Sequence, residues 1–372
     1  MNFQKMKKIL FITQSMSRGG SEVALFHIIT HIKNFQSVVY SSKEGVLLKK
    51  LPQNINYYVD PLQRPIDYYK NFFIKKLFHT TISEIYLENI IKKEKFDACL
   101  LNTITTTKWI PLLKKHNIPI GVFNHELYSI YESLTTQNFQ YLINETNFII
   151  TPSMTVYNSI KNAGCRKRLF LFNEPININT ICPKEIKTEW KDKFSFIFGM
   201  SGVFYTRKGA HLIVKNASHL KQKNAAIVWI GNIWDTGLTE LLKSQLYHLN
   251  LNNVFFTSEL DWNEYYSILN TIDAFLLTSI EDPYPIVNIE AAYLQKPIIA
   301  FDSGGVSEFV KPGMGKVVPL YNLDALFEAI DELITGRMYI DKTLLRNEAI
   351  KHNISNRIDE FEDILIEGFG WK

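Results

Sequence analysis

Short apolar runs alternate with helical stretches along this chain, and they do so in two separate series. "KKILFIT" opens the first series as a run of the buried parallel-strand type, followed by the loop "QSMSRGG" and the helical "SEVALFHIITHIKN". "FDACLLNT", "IPIGVFNH" and "TNFIITPS" read as further buried strands, with helix-like segments between them. The pattern restarts at "FSFIFGMSGV" and runs through "AAIVWIGN", "NNVFFTSE", "DAFLLTS" and "KPIIAFDS". Parallel strands need a crossover between them, so this alternation predicts two doubly wound α/β domains. The 372 residues suffice for two cores. The polar, irregular "NEPININTICPKEIKTEWKDK" separates the series, which places one domain at 1–172, a linker at 173–189 and a second domain at 190–349. From about Asn347 the tail reads as a helix with apolar Ile350, Ile354, Ile358, Phe361, Ile364 and Leu365 on one stripe, and it needs a groove to bury them.

Hydrophobic residues at 46% and charged residues at 21% are the proportions of a soluble globular chain. The net charge of +4 is too mild to call for nucleic acid, and no nucleic-acid partner is expected. Its distribution says more. Residues 1–150 carry 18 Lys+Arg against 11 Asp+Glu, or +7, which leaves −3 for the rest and points the front half at an anionic surface or ligand. Cys99, Cys165 and Cys182 are far apart in sequence and form no Cys-x-x-Cys pair, as free thiols in a reducing compartment would. "ILFI" is too short for a signal-peptide core, and no run of about 18 apolar residues occurs, so a cytoplasmic protein with at most peripheral membrane contact is expected. Between Asp67 and Lys93, basic and aromatic residues mix; Lys70, Phe72, Phe73, Lys75 and Lys76 have the composition of a membrane-surface segment. An amphipathic helix packed on its own domain has the same composition.

Three loops concentrate chemistry. After the first strand, "RGGSEVA" has Gly19–Gly20 but not Gly-x-Gly-x-x-Gly, which disfavours a dinucleotide cofactor. Adjacent glycines before a helix still admit an anion to backbone N–H groups, or make a plain tight turn; Ser21 is placed to cap the helix, with Glu22 in its first turn. In "SGVFYTRKGAHLIV", Arg207 and Lys208 sit on a strand-to-helix loop, where open α/β sheets bind ligands, and suit a diphosphate better than a solvated charge pair. In "EDPYPIVNIEAA", Asp282 and Glu290 flank a turn stiffened by Pro283 and Pro285, and carboxylates there would accept hydrogen bonds from sugar hydroxyls. "FDSGGVSEFV" adds Gly304–Gly305 and Glu308 after the next strand.

Taken together and in order, "RGGSE", "NHE" (Asn124–Glu126), "FLFNEPIN", "RKGAHLIV" and "DAFLLTSIEDPYPIVNIEAAYLQKPIIAFDSGGVSEFV" resemble the retaining glycosyltransferase family 4, the group 1 glycosyl transferases. The resemblance spans nearly the whole chain. It implies a GT-B fold: two Rossmann-like domains facing a central cleft, with a C-terminal helix (about 350–372) crossing back to the N-terminal domain. It implies transfer of a sugar from a nucleotide-sugar to a lipid-linked or polysaccharide acceptor, with retention, in cell-surface polysaccharide or lipopolysaccharide assembly. No cofactor and no metal are implied. By residue, Glu290 would hold the ribose, Lys208 the phosphates, and Gly19 and Gly20 would face the diphosphate. Asp282 falls where the family has Glu, beside Glu281, at the sugar hydroxyls, and Tyr284, Ile286 and Val287 complete the donor set. Val203 follows Gly202 where the family has arginine, and Arg207 would substitute. His125 would lie near the reacting centre and, with Glu126, the acceptor, although a lone histidine is as often structural. Two rival expectations remain: a nucleotide-sugar epimerase or hydrolase on the same fold, and a catalytically weakened binding or scaffold subunit.

Overall fold

The computed structural model describes residues 6–64, 67, 71–72, 75–77, 80–234, 236–258 and 260–371. The chain divides into two compact units. Unit 1 comprises Met1–Pro175 and Ile354–Lys372, and unit 2 comprises Ile176–Asn353.

Unit 1 is built on a seven-stranded parallel sheet of β1 (Lys7–Thr13), β2 (Phe35–Ser41), β3 (Asn56–Val59), β4 (Ala98–Asn102), β5 (Ile120–Phe123), β6 (Phe148–Thr151) and β7 (Arg168–Leu171), in the order β3-β2-β1-β4-β5-β6-β7. Leu10, Ile12, Val38, Leu101, Val122 and Ile149 project from it into one core, filled from the helix side by Leu87, Ile90 and Ile110. The central strands β1, β4, β5 and β6 read as nearly continuous apolar runs because helices cover both faces of such a sheet. The order reverses between β1 and β4, so the loops after these two strands diverge and leave a crevice at their C-terminal ends. Gly19–Gly20 follows β1 and Asn102 ends β4.

Unit 2 repeats the plan with six parallel strands: β8 (Phe196–Ser201), β9 (Ala225–Ile230), β10 (Val254–Phe256), β11 (Ala274–Leu277), β12 (Ile298–Phe301) and β13 (Gly315–Val318), in the order β10-β9-β8-β11-β12-β13. Phe198, Ile227, Trp229, Leu276, Ile299 and Phe301 form its core. Here the reversal lies between β8 and β11, with Arg207–Lys208 after one strand and Asp282 after the other.

Residues 176–189, read from sequence as linker, belong to unit 2. Ile176 N–H donates to the His352 carbonyl at 2.9 Å, Lys184 N–H donates to Ser267 Oγ at 2.9 Å, and Ile181 is buried. The polar composition of this stretch conceals its few anchoring points. The tail is two helices, not one: Lys342–Ile350 ends unit 2, and Ile354–Phe369 lies in unit 1. Ile354, Ile358, Phe361, Ile364 and Leu365 are all buried there. Phe361 packs against Phe172 with ring centroids 5.0 Å apart, and the Glu362 carboxylate accepts from the backbone N–H groups of Lys33 at 2.6 Å and Asn34 at 2.8 Å.

Candidate functional site

In unit 2 the chain leaves β8 through Gly202 and forms a 3-10 turn over Thr206–Lys208 before Gly209. Gly209 has φ +82°, and a Cβ there would come 2.2 Å from Thr278 Oγ1 and 2.3 Å from its carbonyl oxygen. Only glycine lets the turn lie this close to the end of β11. The Arg207 carbonyl then accepts from Ile280 N–H at 2.9 Å, tying the two loops together. The third loop joins in the same way: Asp282 N–H donates to the Ser303 carbonyl at 2.8 Å, and Gly305 N–H to the Asp282 carbonyl at 3.1 Å. Three loops after β8, β11 and β12 thus form one backbone-bonded frame.

Side chains complete it. Lys208 Nζ lies 2.6 Å from Asp282 Oδ2, and both side chains are mostly shielded from solvent. Arg207 donates through Nε to the Tyr205 hydroxyl at 2.6 Å and through Nη1 to the Glu281 carbonyl at 3.0 Å. Burial opposes the charge on Arg207, but Asp282, Tyr205 and Glu281 outweigh it and raise its pKa, so the guanidinium stays ionised. Two cations and a carboxylate therefore share the strand-end crevice of this unit. The helix Ile286–Tyr293 starts directly after, with Pro285 at its N-cap, whose side chain offers no cap to the N–H groups at the positive dipole end. Ile286 and Val287 occupy that first turn.

Glu290 lies in the second turn of this helix and is buried, 6% exposed. Its two oxygens accept from the hydroxyls of Tyr266 and Tyr265, each at 2.9 Å, and Ser201 Oγ donates to the Tyr265 oxygen at 3.3 Å. Burial pushes the Glu290 pKa up to about 7, against the two tyrosine hydrogen bonds that favour its ionised form. A carboxylate has about four lone-pair positions, of which the two tyrosines use two. Tyr284 turns elsewhere: its hydroxyl is 2.7 Å from His352 Nε2 and its ring stacks on that imidazole. The tyrosine between the two prolines thus anchors the loop to the end of the unit, a direction sequence alone does not reveal.

Unit 1 carries the other expected residues. The helix after β1 starts at Gly20 with Gly19 as N-cap, and no side chain caps it, so Ser21 lies inside the helix and does not cap it as its position in the sequence implies. The Glu22 carboxylate folds back over Gly19, where a Cβ would lie 2.0 Å from Oε2, and Ser15 and Ser17 hydroxyls donate to its other oxygen. His125 is buried and engaged at both nitrogens, with Nδ1 2.5 Å from Glu174 Oε1 and Nε2 2.9 Å from Asn102 Oδ1. Glu126 accepts from Ile104 N–H at 3.2 Å, and burial pushes its pKa up to about 7.

Tyr265, Tyr266, Ser201, Asn102 and Glu174 escaped the sequence reading. The paired tyrosines in "NEYYSIL" and the acid in "FNEPIN" were the available signals, but neither shows its partner. Of the membrane-surface set, Phe72 is 63% exposed and Lys75 and Lys76 are exposed, whereas Lys70 and Phe73 lie outside the described residues. Among the described residues no helix is long and apolar enough to cross a membrane, and no group of three or more His, Cys, Asp or Glu is arranged to hold a metal ion.

Comparison with known proteins agrees with this geometry. Residues 183–353, all within unit 2, match the family model of the glycosyl transferases group 1, as the motifs led us to expect. A comparison with curated protein sequences gave no match. Among solved structures, Anabaena Alr3699/HepE in complex with UDP and glucose superposes with a TM-score of 0.78 at 17% identity, covering 97% of this chain and 100% of that one. Sucrose-phosphate synthase from Thermosynechococcus elongatus gives 0.77 at 14% identity, covering 98% and 99%. The lipopolysaccharide outer core galactosyltransferase WaaB in its apo form gives 0.71 at 16%, covering 97% and 99%. At these identities the likeness is one of fold, and that fold is GT-B, with two Rossmann-like domains.

Proposed function

We propose that the protein is a nucleotide-sugar-dependent glycosyltransferase that acts with retention. The observation that carries this reading is the frame in unit 2. There Arg207, Lys208, Asp282 and a helix start converge at the strand-order reversal, one helical turn from the buried Glu290, inside the segment that matches the family model. The arrangement suits a ligand with a diphosphate middle and hydroxyl-bearing ends. Glu290 has lone pairs left for ribose hydroxyls, whereas Lys208 and Arg207 offer charge to the diphosphate. In the resting site Lys208 is neutralised by Asp282. When the donor enters, Lys208 turns part of its charge to phosphate and frees Asp282 lone pairs for sugar hydroxyls.

As the anomeric C–O bond loosens, negative charge grows on the leaving diphosphate. Cations fixed before the reaction stabilise that charge without reorganising, which is where the electrostatic lowering of the barrier arises. The acceptor hydroxyl attacks from the face the diphosphate leaves, and its proton passes to the leaving phosphate. Neither a protein nucleophile nor a metal ion is required in this reading, and activity that survives EDTA is the corresponding expectation. Unit 2 is assigned the donor, and unit 1, with His125 and Glu126, the acceptor. The +7 charge of residues 1–150 and the exposed Phe72, Lys75 and Lys76 support a lipid-linked or polysaccharide acceptor at an anionic membrane face.

The test is calorimetric binding of UDP, GDP and ADP, followed by incubation of the tight binder's sugar conjugates with lipid-linked glycan. Binding of one nucleotide and release of it on transfer supports the proposal. Binding without turnover favours the scaffold reading, and no binding by the folded protein refutes the donor site.

A further inference from the structure

One hydrogen-bonded chain in unit 1 ties His125 to two residues, Glu174 and Asn102, that the reaction outlined above does not use. It starts at Glu174, one residue before the end of the first segment of that unit. Glu174 Oε1 is 2.5 Å from His125 Nδ1, and His125 Nε2 is 2.9 Å from Asn102 Oδ1. Asn102 Nδ2 in turn donates to the Ser21 carbonyl at 3.1 Å. All three side chains are buried: Asn102 is 0% exposed, Glu174 4% and His125 8%. The chain therefore links the ends of β4 and β5 and the segment after β7 to the backbone beside Gly19–Gly20.

The directions of these bonds fix the proton count. A carbonyl only accepts, so the Ser21 contact places the Asn102 NH₂ group towards it and the Asn102 oxygen towards His125. An oxygen facing Nε2 calls for Nε2–H, and the Glu174–Nδ1 contact calls for one proton between the two groups, which on Nδ1 makes the ring a donor from both nitrogens. An imidazole that donates from both nitrogens is an imidazolium. Glu126 and Glu22 add attraction, and the Phe123 ring packs on the imidazole with centroids 3.9 Å apart. Burial opposes the charge on His125, yet Glu174, Glu126 and Glu22 outweigh it and raise the histidine pKa.

We propose that Glu174 is a positioning residue that holds His125 as a fixed imidazolium and, through Asn102, sets the Ser21 backbone at the start of the glycine-led helix. The site in unit 1 then keeps an ion pair whose imidazolium lies two hydrogen bonds from the backbone beside Gly19–Gly20, and helix start and ring move together. Without the Glu174 carboxylate, burial would favour neutral imidazole. One tautomer would then lose the Nε2–H bond to Asn102, and the amide would be free to flip away from Ser21.

The role in transfer rests on the proposed glycosyltransferase reading, but the protonation state does not, and the two are read separately. Nitrogen-15 NMR of the full chain, with the His125 signals assigned by a His125→Gln variant, reports the ring directly. The expected wild-type result is a ring that stays an imidazolium above about pH 6.5, the ordinary histidine value. In Glu174→Gln the ring should be neutral above about pH 6.5, the ordinary histidine value, and Glu174→Asp should restore the charge. With UDP-glucose as the donor tested, Glu174→Gln should lower kcat about tenfold or more above pH 7 while UDP affinity stays within about twofold of wild type. A wild-type His125 that is neutral at pH 7, or an identical titration in wild type and Glu174→Gln, overturns the proposal. If the NMR result is as expected but no sugar is transferred, the positioning role in unit 1 stands and the functional reading fails. Should Glu174→Gln not fold, the wild-type titration decides alone.

Discussion

Replacing Glu290 by glutamine should make the protein more stable and a poorer binder of nucleotide at once. Burial moves the Glu290 pKa from an ordinary 4.5 to about 7. A raised folded-state pKa means that the fold prefers the protonated acid. Its contribution is complete below the unfolded value near 4.5 and is lost as pH rises through 7. Well above pH 7 the penalty for keeping the charge buried is about 3 kcal/mol. Glutamine keeps the shape without the charge: its oxygen can accept from one of Tyr265 and Tyr266, while its NH₂ group must donate to the other hydroxyl. That imperfect exchange returns part of the gain, leaving about 1–2 kcal/mol of net stabilisation, or about 2–8 °C in the melting of unit 2 at pH 8. At pH 5, where both proteins are neutral at this position, the advantage should vanish. Binding moves the other way. Hydrogen bonds from ribose hydroxyls to a carboxylate are worth about 1.5–3 kcal/mol, so UDP affinity should fall about 10- to 100-fold in the variant. Wild-type affinity should also weaken below pH 7 as Glu290 takes up its proton, a step absent from Glu290→Gln. Thermal melts at pH 5 and 8 and calorimetry across that range test both halves. A variant that melts no higher than wild type at pH 8 refutes the argument from burial, and one that binds UDP normally refutes the ribose assignment.

Other substitutions probe the frame more simply. Gly209→Ala must place a methyl against Thr278 at positive φ, and unit 2 should lose about 2–4 kcal/mol, read by chemical denaturation; a loss under 1 kcal/mol would contradict the stated crowding. Phe361→Ala removes a ring buried against Phe123 and Phe172, and should cost about 3–5 kcal/mol in unit 1 while leaving the UDP affinity of unit 2 unchanged. Lys208→Met strands the Asp282 carboxylate, so the single variant should be destabilised by about 3 kcal/mol and the Lys208→Met/Asp282→Asn double variant by clearly less; additive losses would show that the pair is not coupled. Lys75→Glu with Lys76→Glu should reduce sedimentation with anionic vesicles by about 1 kcal/mol per charge removed, and unchanged sedimentation would remove the membrane-face assignment.

How far the sequence reveals this molecule depends on where a residue's partners lie. The central strands were plain, because β1, β4, β5, β6, β8, β9, β11 and β12 are buried on both faces and must be apolar throughout. β3, β7 and β13 were not, since each is a four-residue strand at or near a sheet edge, half exposed and free to carry polar residues. β2 was also missed, where Gln36 and Ser37 interrupt the apolar run. The same rule governs the site. Arg207, Lys208, Asp282 and Glu290 stand out because charges on strand-end loops have few structural uses. What each charge does depends on residues far away in sequence: Asp282 on Lys208, Glu290 on Tyr265 and Tyr266, His125 on Asn102 and Glu174. Tyr284 makes the limit plain. Its place between two prolines in an acidic loop points to a ligand contact, but nothing there announces that its hydroxyl reaches His352, 68 positions away, and fastens the loop. Composition and spacing select the loops that carry chemistry. Side-chain direction decides whether a residue in them grips a ligand or holds the frame still, and direction is fixed only when the distant partner is in place.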